Sequence, residues 1–358
     1  VVGLTLRRIA LVKRYPLAIS RGVSTGSVNL FAEVREDDQV GLGEGAPGTG
    51  TSDQGFAEDA EGQARALWEA RPLGVRDPRS RPATCDFRSS MREFAAVARE
   101  MEIARPVAAA LDIALWDLEA KRAGQPLARY LGAPTPSAPS SATIGINPPE
   151  VVRERVPEIL SRTGARALKI KLGAGTDADQ AQYEAAREAA APFGVRLRVD
   201  ANGGWDLAVA RRMLSWLAER GCDYVEQPLP QGAEDELAAL FTKRPLPIFA
   251  DESCHLAVDV EKLADRVDGV NLKLMKTGGV TEALDLIDAA RMRGLDLMIG
   301  CMGESSIAIS AGAALSGWCR YVDLDSHLNL APDPATGAEL VDGVLVPPDR
   351  PGHGGALR

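Results

Sequence analysis

Histidine is scarce in this sequence: among 358 residues there are only His255, His327 and His353. With no HExxH and so few imidazoles, a histidine-rich zinc site is excluded. The five cysteines, Cys85, Cys222, Cys254, Cys301 and Cys319, are odd in number, scattered and free of any CxxC pair. That usage fits reduced thiols in a cytoplasm rather than a disulfide scaffold. Aromatic residues reach only 5%, and 50 acidic side chains face 41 basic ones, a net charge of -9. Nucleic acid needs clustered cations or stacking rings, so it is not the expected partner. Apolar runs such as 307–315 fall short of the roughly 20 residues that span a bilayer. Arg and Lys interrupt the first sixteen residues, which therefore do not read as a secretory signal. What is present is ordinary for a globular protein, 45% hydrophobic and 25% charged. The length suggests two domains or one large barrel. Chemistry in such a chain falls to carboxylates and lysines.

The first third reads as a small α+β unit. Val28, Leu30, Ala32 and Val34 alternate with Asn29, Phe31, Glu33 and Arg35, with Phe31 blurring the pattern. With the strand at 4–13 and the apolar pair Val40 and Leu42, this predicts an antiparallel meander. Helices are expected over 52–70 and 88–104. A third has Pro106 in its first turn, an apolar stripe at Val107, Leu111, Leu115 and Leu118, and a stop at Gly124 and Pro126. The run GLGEGA at 41–46 echoes a phosphate loop, but Pro47 and more glycine follow it instead of a helix, so that reading fails.

Beyond the linker APTPSAPSSA the texture changes to short apolar runs separated by helical stretches. Strands are expected at 142–146, 167–172, 196–200, 223–226, 247–250, 269–273, 296–300 and 320–323, with starts 22 to 29 residues apart. Eight βα units at that spacing imply a parallel sheet, which eight strands can close into a barrel. An open doubly wound sheet is the structural rival, although no first strand carries a dinucleotide fingerprint.

Barrel strands aim their C-terminal ends at the active site. Read in order, those ends carry Thr143, Lys169 and Lys171, Asp200 with Asn202, Glu226, Asp251 with Glu252, Lys273, Cys301, and Asp323 with Asp325. Three successive carboxylates, Asp200, Glu226 and Asp251, cannot all stay ionised at one point unless a cation cancels their repulsion. Oxygen-only ligation favours Mg²⁺. Taken alone, Asp251 reads better as helix-capping text. Lys169 and Lys171 alternate on one strand face, and neighbouring positive charge is expected to depress a lysine's pKa. Lys273 lies four strands further round and approaches from the opposite side, which suits proton removal on one face and delivery on the other.

The segments ALDIALWDLEAKRAGQPLARYLGA, ATIGI, ALKIKLG, VDANGGW, VEQPLP, ADES, NLKLMKTGG and GCMGESS together resemble the enolase superfamily in its muconate-lactonizing subgroup. The resemblance implies an α/β fold, a modified TIM barrel over 133–325, capped by an N-terminal α+β domain over 1–132. The C-terminal segment from about 326 to 358 completes the cap. It also implies Mg²⁺ on Asp200, Glu226 and Asp251, Lys171 and Lys273 as the acid/base pair, and Lys169 as an electrostatic helper. Asn202 and Glu252 then stand behind the ligands.

Subgroup members share removal of a proton α to a carboxylate and diverge afterwards. The closing DxD, Asp323 and Asp325, resembles that of the dipeptide epimerases, where the pair holds a substrate ammonium group. Arg21 matches a position that receives a glutamate carboxylate in alanyl-glutamate epimerases. Thr143, Cys301 and Met302 are expected to line the pocket. The expectation is therefore a Mg²⁺-dependent dipeptide epimerase with L-Ala-Glu as first candidate substrate, working by two-lysine proton transfer. Muconate cycloisomerase, o-succinylbenzoate synthase and N-acyl amino acid racemase use the same machinery. A silent metabolite-binding barrel is the reading from a different class. A homo-oligomer suits the family, and no interface is legible.

Overall fold

A computed structural model describes residues 3–48, 56–76 and 86–358. The chain opens with three antiparallel strands, β1 (Gly3–Ile19), β2 (Gly22–Glu36) and β3 (Gln39–Gly45), in the order β1-β2-β3. Leu30, Ala32 and Val34 are buried on one face, as their alternation requires. Phe31 is buried too, but with Ile307 and Ala335, because the chain's C-terminal segment covers the other face. Val28 departs from the expected pattern: it is exposed, while Asn29 beside it is buried. Here the sheet meets the barrel, and Asn29 donates to the Glu44 carboxylate at 2.7 Å and to the Gly303 carbonyl at 2.9 Å.

Helices α1 (Phe56–Ala70), α2 (Phe87–Glu100) and α3 (Arg105–Arg122) follow. Residues 52–55 of the first expected helix, and Cys85, lie outside the described residues. The second ends earlier than expected because Glu102 adopts a left-handed φ of 54°. Helix α3 rests its backbone directly on β3. A Cβ at Gly41, Gly43 or Gly45 would come within 2.0 Å of the carbonyl oxygen of Ala114, Ala110 or Pro106 respectively. Three glycines two residues apart make the flat face this approach needs, and that is the work of the glycine-rich run.

The eight expected barrel strands all form, none with an end moved by more than two residues: β4 (Ser141–Ile144), β5 (Ala167–Lys171), β6 (Arg196–Asp200), β7 (Cys222–Glu226), β8 (Ile248–Ala250), β9 (Gly269–Leu272), β10 (Asp296–Gly300) and β11 (Tyr321–Asp323). They are parallel neighbours in chain order, and a parallel bridge from Ser140 to Val322 joins the two ends. Arg198 reinforces that seam from inside, donating to the Ser141 hydroxyl at 2.7 Å and the Val322 carbonyl at 3.0 Å. Tyr224, Phe249, Met298 and Tyr321 fill the barrel floor. Among the covering helices are α4 (Thr176–Ala190), α5 (Val280–Met292) and α6 (Ser306–Ala313).

The C-terminal segment returns to the opening sheet. Leu330 bridges to Lys13, and the His353 backbone N–H donates to Asp117 of α3 at 2.8 Å. Among the described residues, no helix is long and apolar enough to cross a membrane.

Candidate active site

The sheet register sets the acids side by side. Lys171 on β5 pairs laterally with Asp200 on β6, Asp200 pairs with Glu226 on β7, and Asp251 follows the last residue of β8. All three acids are buried, and one oxygen from each lies within 4.8 Å of the others. Burial and then the neighbouring Asp200 push the Glu226 carboxyl well up. At Asp200 the burial penalty is outweighed by Lys171 and Lys169, which hold its pKa down. At Asp251 it is outweighed by Lys273 and Lys276, leaving that carboxyl far below the usual range.

Besides Lys276, three lysines reach this cluster. The Lys169 ammonium is 2.5 Å from Asp323, 2.7 Å from Glu226 and 3.4 Å from Asp200. Glu226 Oε2 is ion-paired with Lys169 and accepts no hydrogen bond. Lys171 Nζ stands 2.6 Å from Asp200 Oδ2, and Lys273 Nζ stands 2.6 Å from Asp251 Oδ2. Lys171 ends β5 and Lys273 follows β9, four strands apart in a ring of eight. The Lys169 and Lys273 ammonium groups are held above the usual lysine range. Burial lowers both, but carboxylates outweigh it: Asp323 and Glu226 at Lys169, Asp251 and Glu226 at Lys273. Acids contact these ammonium groups more closely than other cations do.

Asn202 and Glu252 stand behind the acids. Asn202, held at a left-handed φ of 44°, donates from its backbone to Asp200 Oδ1 at 2.8 Å and from its amide to Asp200 Oδ2 and Glu252 at 3.2 Å. Arg21, on the turn between β1 and β2, donates to the Asn202 carbonyl at 2.8 Å and pairs with Glu252 at 2.5 Å. A cavity of about 460 Å³ opens beside it, lined in part by Ser20, Asn202, Gln227, Gln231 and Glu252.

Three further residues of this cluster escaped the strand-end reading. Asn271 donates to Glu226 Oε1 at 2.7 Å. Lys276 donates to Asp251 Oδ1 at 2.6 Å and is ringed by the carbonyls of Asp251, Asn271 and Cys254. The side-chain carbonyl of Gln227 accepts from the Asp251 and Ser253 amides at 2.8 and 3.2 Å. Asn271 sits two residues before Lys273 on one strand face, and Lys276 a helical turn after it, so the spacing carried a signal.

Asp323 and Asp325 come close to one another, but only Asp323 lies in the strand. Asp325 stands beyond it with φ −118° and ψ 0°. One Asp323 oxygen is taken by Lys169 and the other has no hydrogen-bond partner. Asp325 accepts from the Thr143 amide at 2.6 Å, and burial together with Asp323 pushes its carboxyl up. Cys301 donates its thiol to the Asp323 carbonyl at 3.3 Å, and burial raises that thiol, which stays neutral. Met302 is half-buried alongside. Its backbone N–H donates to Glu304 at 2.5 Å, and burial followed by Glu44 pushes the Glu304 carboxyl up to about 8. Burial lowers His255 and His327 to about 4, so both are neutral.

The sequence matches two family descriptions in tandem: the mandelate racemase / muconate lactonizing enzyme N-terminal domain over residues 3–132, and the enolase C-terminal domain-like family over residues 151–358. The chain belongs to this family, within the enolase superfamily. It is similar to a hydrophobic dipeptide epimerase of Flavobacteria bacterium (strain MS024-2A), 49% identical over 99% of this chain and 98% of that one. It is also similar to a hydrophobic dipeptide epimerase of Roseobacter litoralis, 52% identical over 98% of this chain and 97% of that one. Among solved structures, it resembles the dipeptide epimerase of Enterococcus faecalis V583 complexed with Mg and L-Leu-L-Tyr. The TM-score is 0.86 and the identity 29%, covering 99% of this chain and 98% of that chain.

Proposed function

We propose that this family member is a Mg²⁺-dependent dipeptide epimerase that inverts the α-carbon of the C-terminal residue. One observation carries the reading: two lysines enter a three-carboxylate cluster from opposite sides of the barrel, with the Asp323–Asp325 pair beside them. The likeness to Mg-bound dipeptide epimerases supports it.

The acid cluster suits a hard divalent cation. Asp200, Glu226 and Asp251 offer only oxygen, Glu226 Oε2 accepts no hydrogen bond, and their mutual repulsion is relieved by added positive charge. These three residues would hold Mg²⁺, which supplies charge stabilisation to a substrate carboxylate as its α-proton leaves. Lys171 takes or returns that proton at one face and Lys273 does so at the other. Lys169 stays protonated, tied to Asp323 and Glu226, and balances the local negative charge. The free oxygen of Asp323 and the carboxylate of Asp325 accept the substrate's ammonium N–H groups. Asn202 orients Asp200, while Glu252 anchors Arg21. Thr143, Cys301 and Met302 form the wall around the ammonium pocket. The cap is taken as residues 1–132, completed by about 326–358, and the barrel as 133–325.

Arg21 spends its guanidinium on Glu252 and the Asn202 carbonyl, so we assign it to holding the cap turn shut over the site rather than to binding a substrate carboxylate. Together with the names of the relatives at 49% and 52% identity, this favours dipeptides with an apolar second side chain over L-Ala-Glu. The reduced thiols of Cys222, Cys254, Cys301 and Cys319 fit a cytoplasmic enzyme acting on a small molecule. Incubation with Mg²⁺ and apolar L,L-dipeptides in D₂O tests the reading. It predicts a gain of one deuterium together with the L,D diastereomer, and absence of exchange with every dipeptide overturns it.

A further inference from the structure

Gln182 lies on the buried face of α4, outside the acid cluster, and its amide makes three hydrogen bonds. Its NH₂ group donates to the Lys171 carbonyl and to the Gly145 carbonyl, both at 3.0 Å, and its oxygen accepts from the Asn147 amide at 3.2 Å. One side chain thus ties the backbone of Lys171 to the loop that follows β4. That loop is in turn joined to the cap. The Ile146 amide donates to the Ala18 carbonyl at 2.8 Å, and a Cβ at Gly145 would lie 2.8 Å from the Ala18 nitrogen.

One helical turn earlier on α4, Asp179 secures the other end of the same segment. One of its oxygens accepts from the amides of Gly173 and Ala174, both at 2.9 Å, and the other accepts from the Trp205 indole at 2.8 Å. Gly173 needs its positive φ of 106° here, and a Cβ on it would meet the Ala201 carbonyl at 2.7 Å and Ser20 of the cap turn at 3.1 Å. The chain from Lys171 to Ala174 is therefore pinned at both ends by side chains three residues apart on one helix face. No comparable side chain from a covering helix holds the backbone of Lys273 in the same way among the hydrogen bonds described.

We propose that Gln182, supported by Asp179, is a positioning residue for Lys171. It holds that lysine's backbone in register with the cap, so that proton transfer at one face of the substrate, and not at the other, depends on it. The inference rests on the lysine roles proposed above. Displacement of a reacting group by about an ångström costs on the order of a hundredfold in rate, and a loss confined to one lysine appears in one epimer only.

The test is deuterium incorporation from D₂O, followed separately for the two epimers of one dipeptide with Mg²⁺ present. Gln182→Met keeps the side chain's length and removes its three hydrogen bonds. Exchange should fall on the order of tenfold to a hundredfold in the epimer that Lys171→Met silences. Exchange of the other epimer, served by Lys273, should stay within about twofold, with kcat rather than KM carrying the loss. Gln182→Glu retains the acceptor for Asn147, so it gives the same asymmetry if the methionine variant does not fold. Equal slowing of both epimers, or slowing of neither, overturns the positioning role while leaving the proposed function in place. Absence of exchange in the unsubstituted protein overturns the proposed function and this inference with it.

Discussion

Arg21→Met separates two uses of one guanidinium. In the structure Arg21 bridges the cap turn to Glu252 and to the Asn202 carbonyl, with 38% of its side chain exposed and 16% of Glu252's. An ion pair this open to solvent contributes roughly 0.5 kcal/mol, and a charged donor on a backbone carbonyl about 1.5 kcal/mol. Losing both therefore costs about 2 kcal/mol, roughly thirtyfold in kcat/KM, and the cost falls alike on every substrate the turn encloses. Had Arg21 gripped a glutamate carboxylate instead, removing it would cost roughly 2–5 kcal/mol, confined to acidic dipeptides. The assay is kcat/KM of the unsubstituted chain and the variant on L-Ala-L-Leu and L-Ala-L-Glu. The ratio between the two substrates should move by less than about threefold, because the expected 2 kcal/mol is shared. A loss above about a hundredfold seen only with L-Ala-L-Glu refutes the latch.

Other consequences follow from the same geometry. Glu226→Gln removes a proposed ligand's charge while keeping its shape, and titration calorimetry should show Mg²⁺ binding weakened by more than about tenfold; unchanged binding contradicts the proposed metal site. Asp325→Asn should raise KM for a dipeptide by roughly ten- to thirtyfold, a loss of about 1.5–2 kcal/mol for a charge-assisted contact. It should leave an N-acylated amino acid unaffected, since that substrate lacks the ammonium. Asp112, buried against Val280 and Thr281, has its pKa raised to about 7, chiefly by burial. The folded chain thus keeps a proton that the unfolded chain releases above about pH 4. The stability this group contributes is present below that pH and is lost as the pH rises toward about 7. In Asp112→Asn the fall in melting temperature between pH 5 and 7.5 should shrink; an unchanged fall contradicts the assignment.

The barrel was legible because its signal is repeated. Strands buried on both faces read as short apolar runs, and their spacing is set by the helix each must precede. The ligand positions were legible for the same reason, since a polar residue ending an apolar run stands out. Asn271 and Lys276 were harder to see. Asn271 lies inside a strand rather than at its end, and Lys276 faces inward only because the chain turns through Leu274–Thr277 directly after Lys273. Gln182 and Asp179 were illegible, because polar residues on a helix of this composition read as its solvent face. Their burial depends on loops that close over them from three strands. The alternation in β2 failed at Val28 and Asn29 for a related reason: the face of a strand tells inside from outside only while one neighbour covers it, and there the barrel loop takes over from α3.

In the proposed reaction Lys171 and Lys273 serve opposite faces of one α-carbon. Epimer-resolved deuterium exchange in the single variants Lys171→Met and Lys273→Met measures it directly. Each variant should abolish interconversion yet silence exchange in a different epimer, so that the two patterns are complementary. If both variants silence the same epimer, or either lysine proves dispensable for exchange in both, proton transfer does not run between these two lysines.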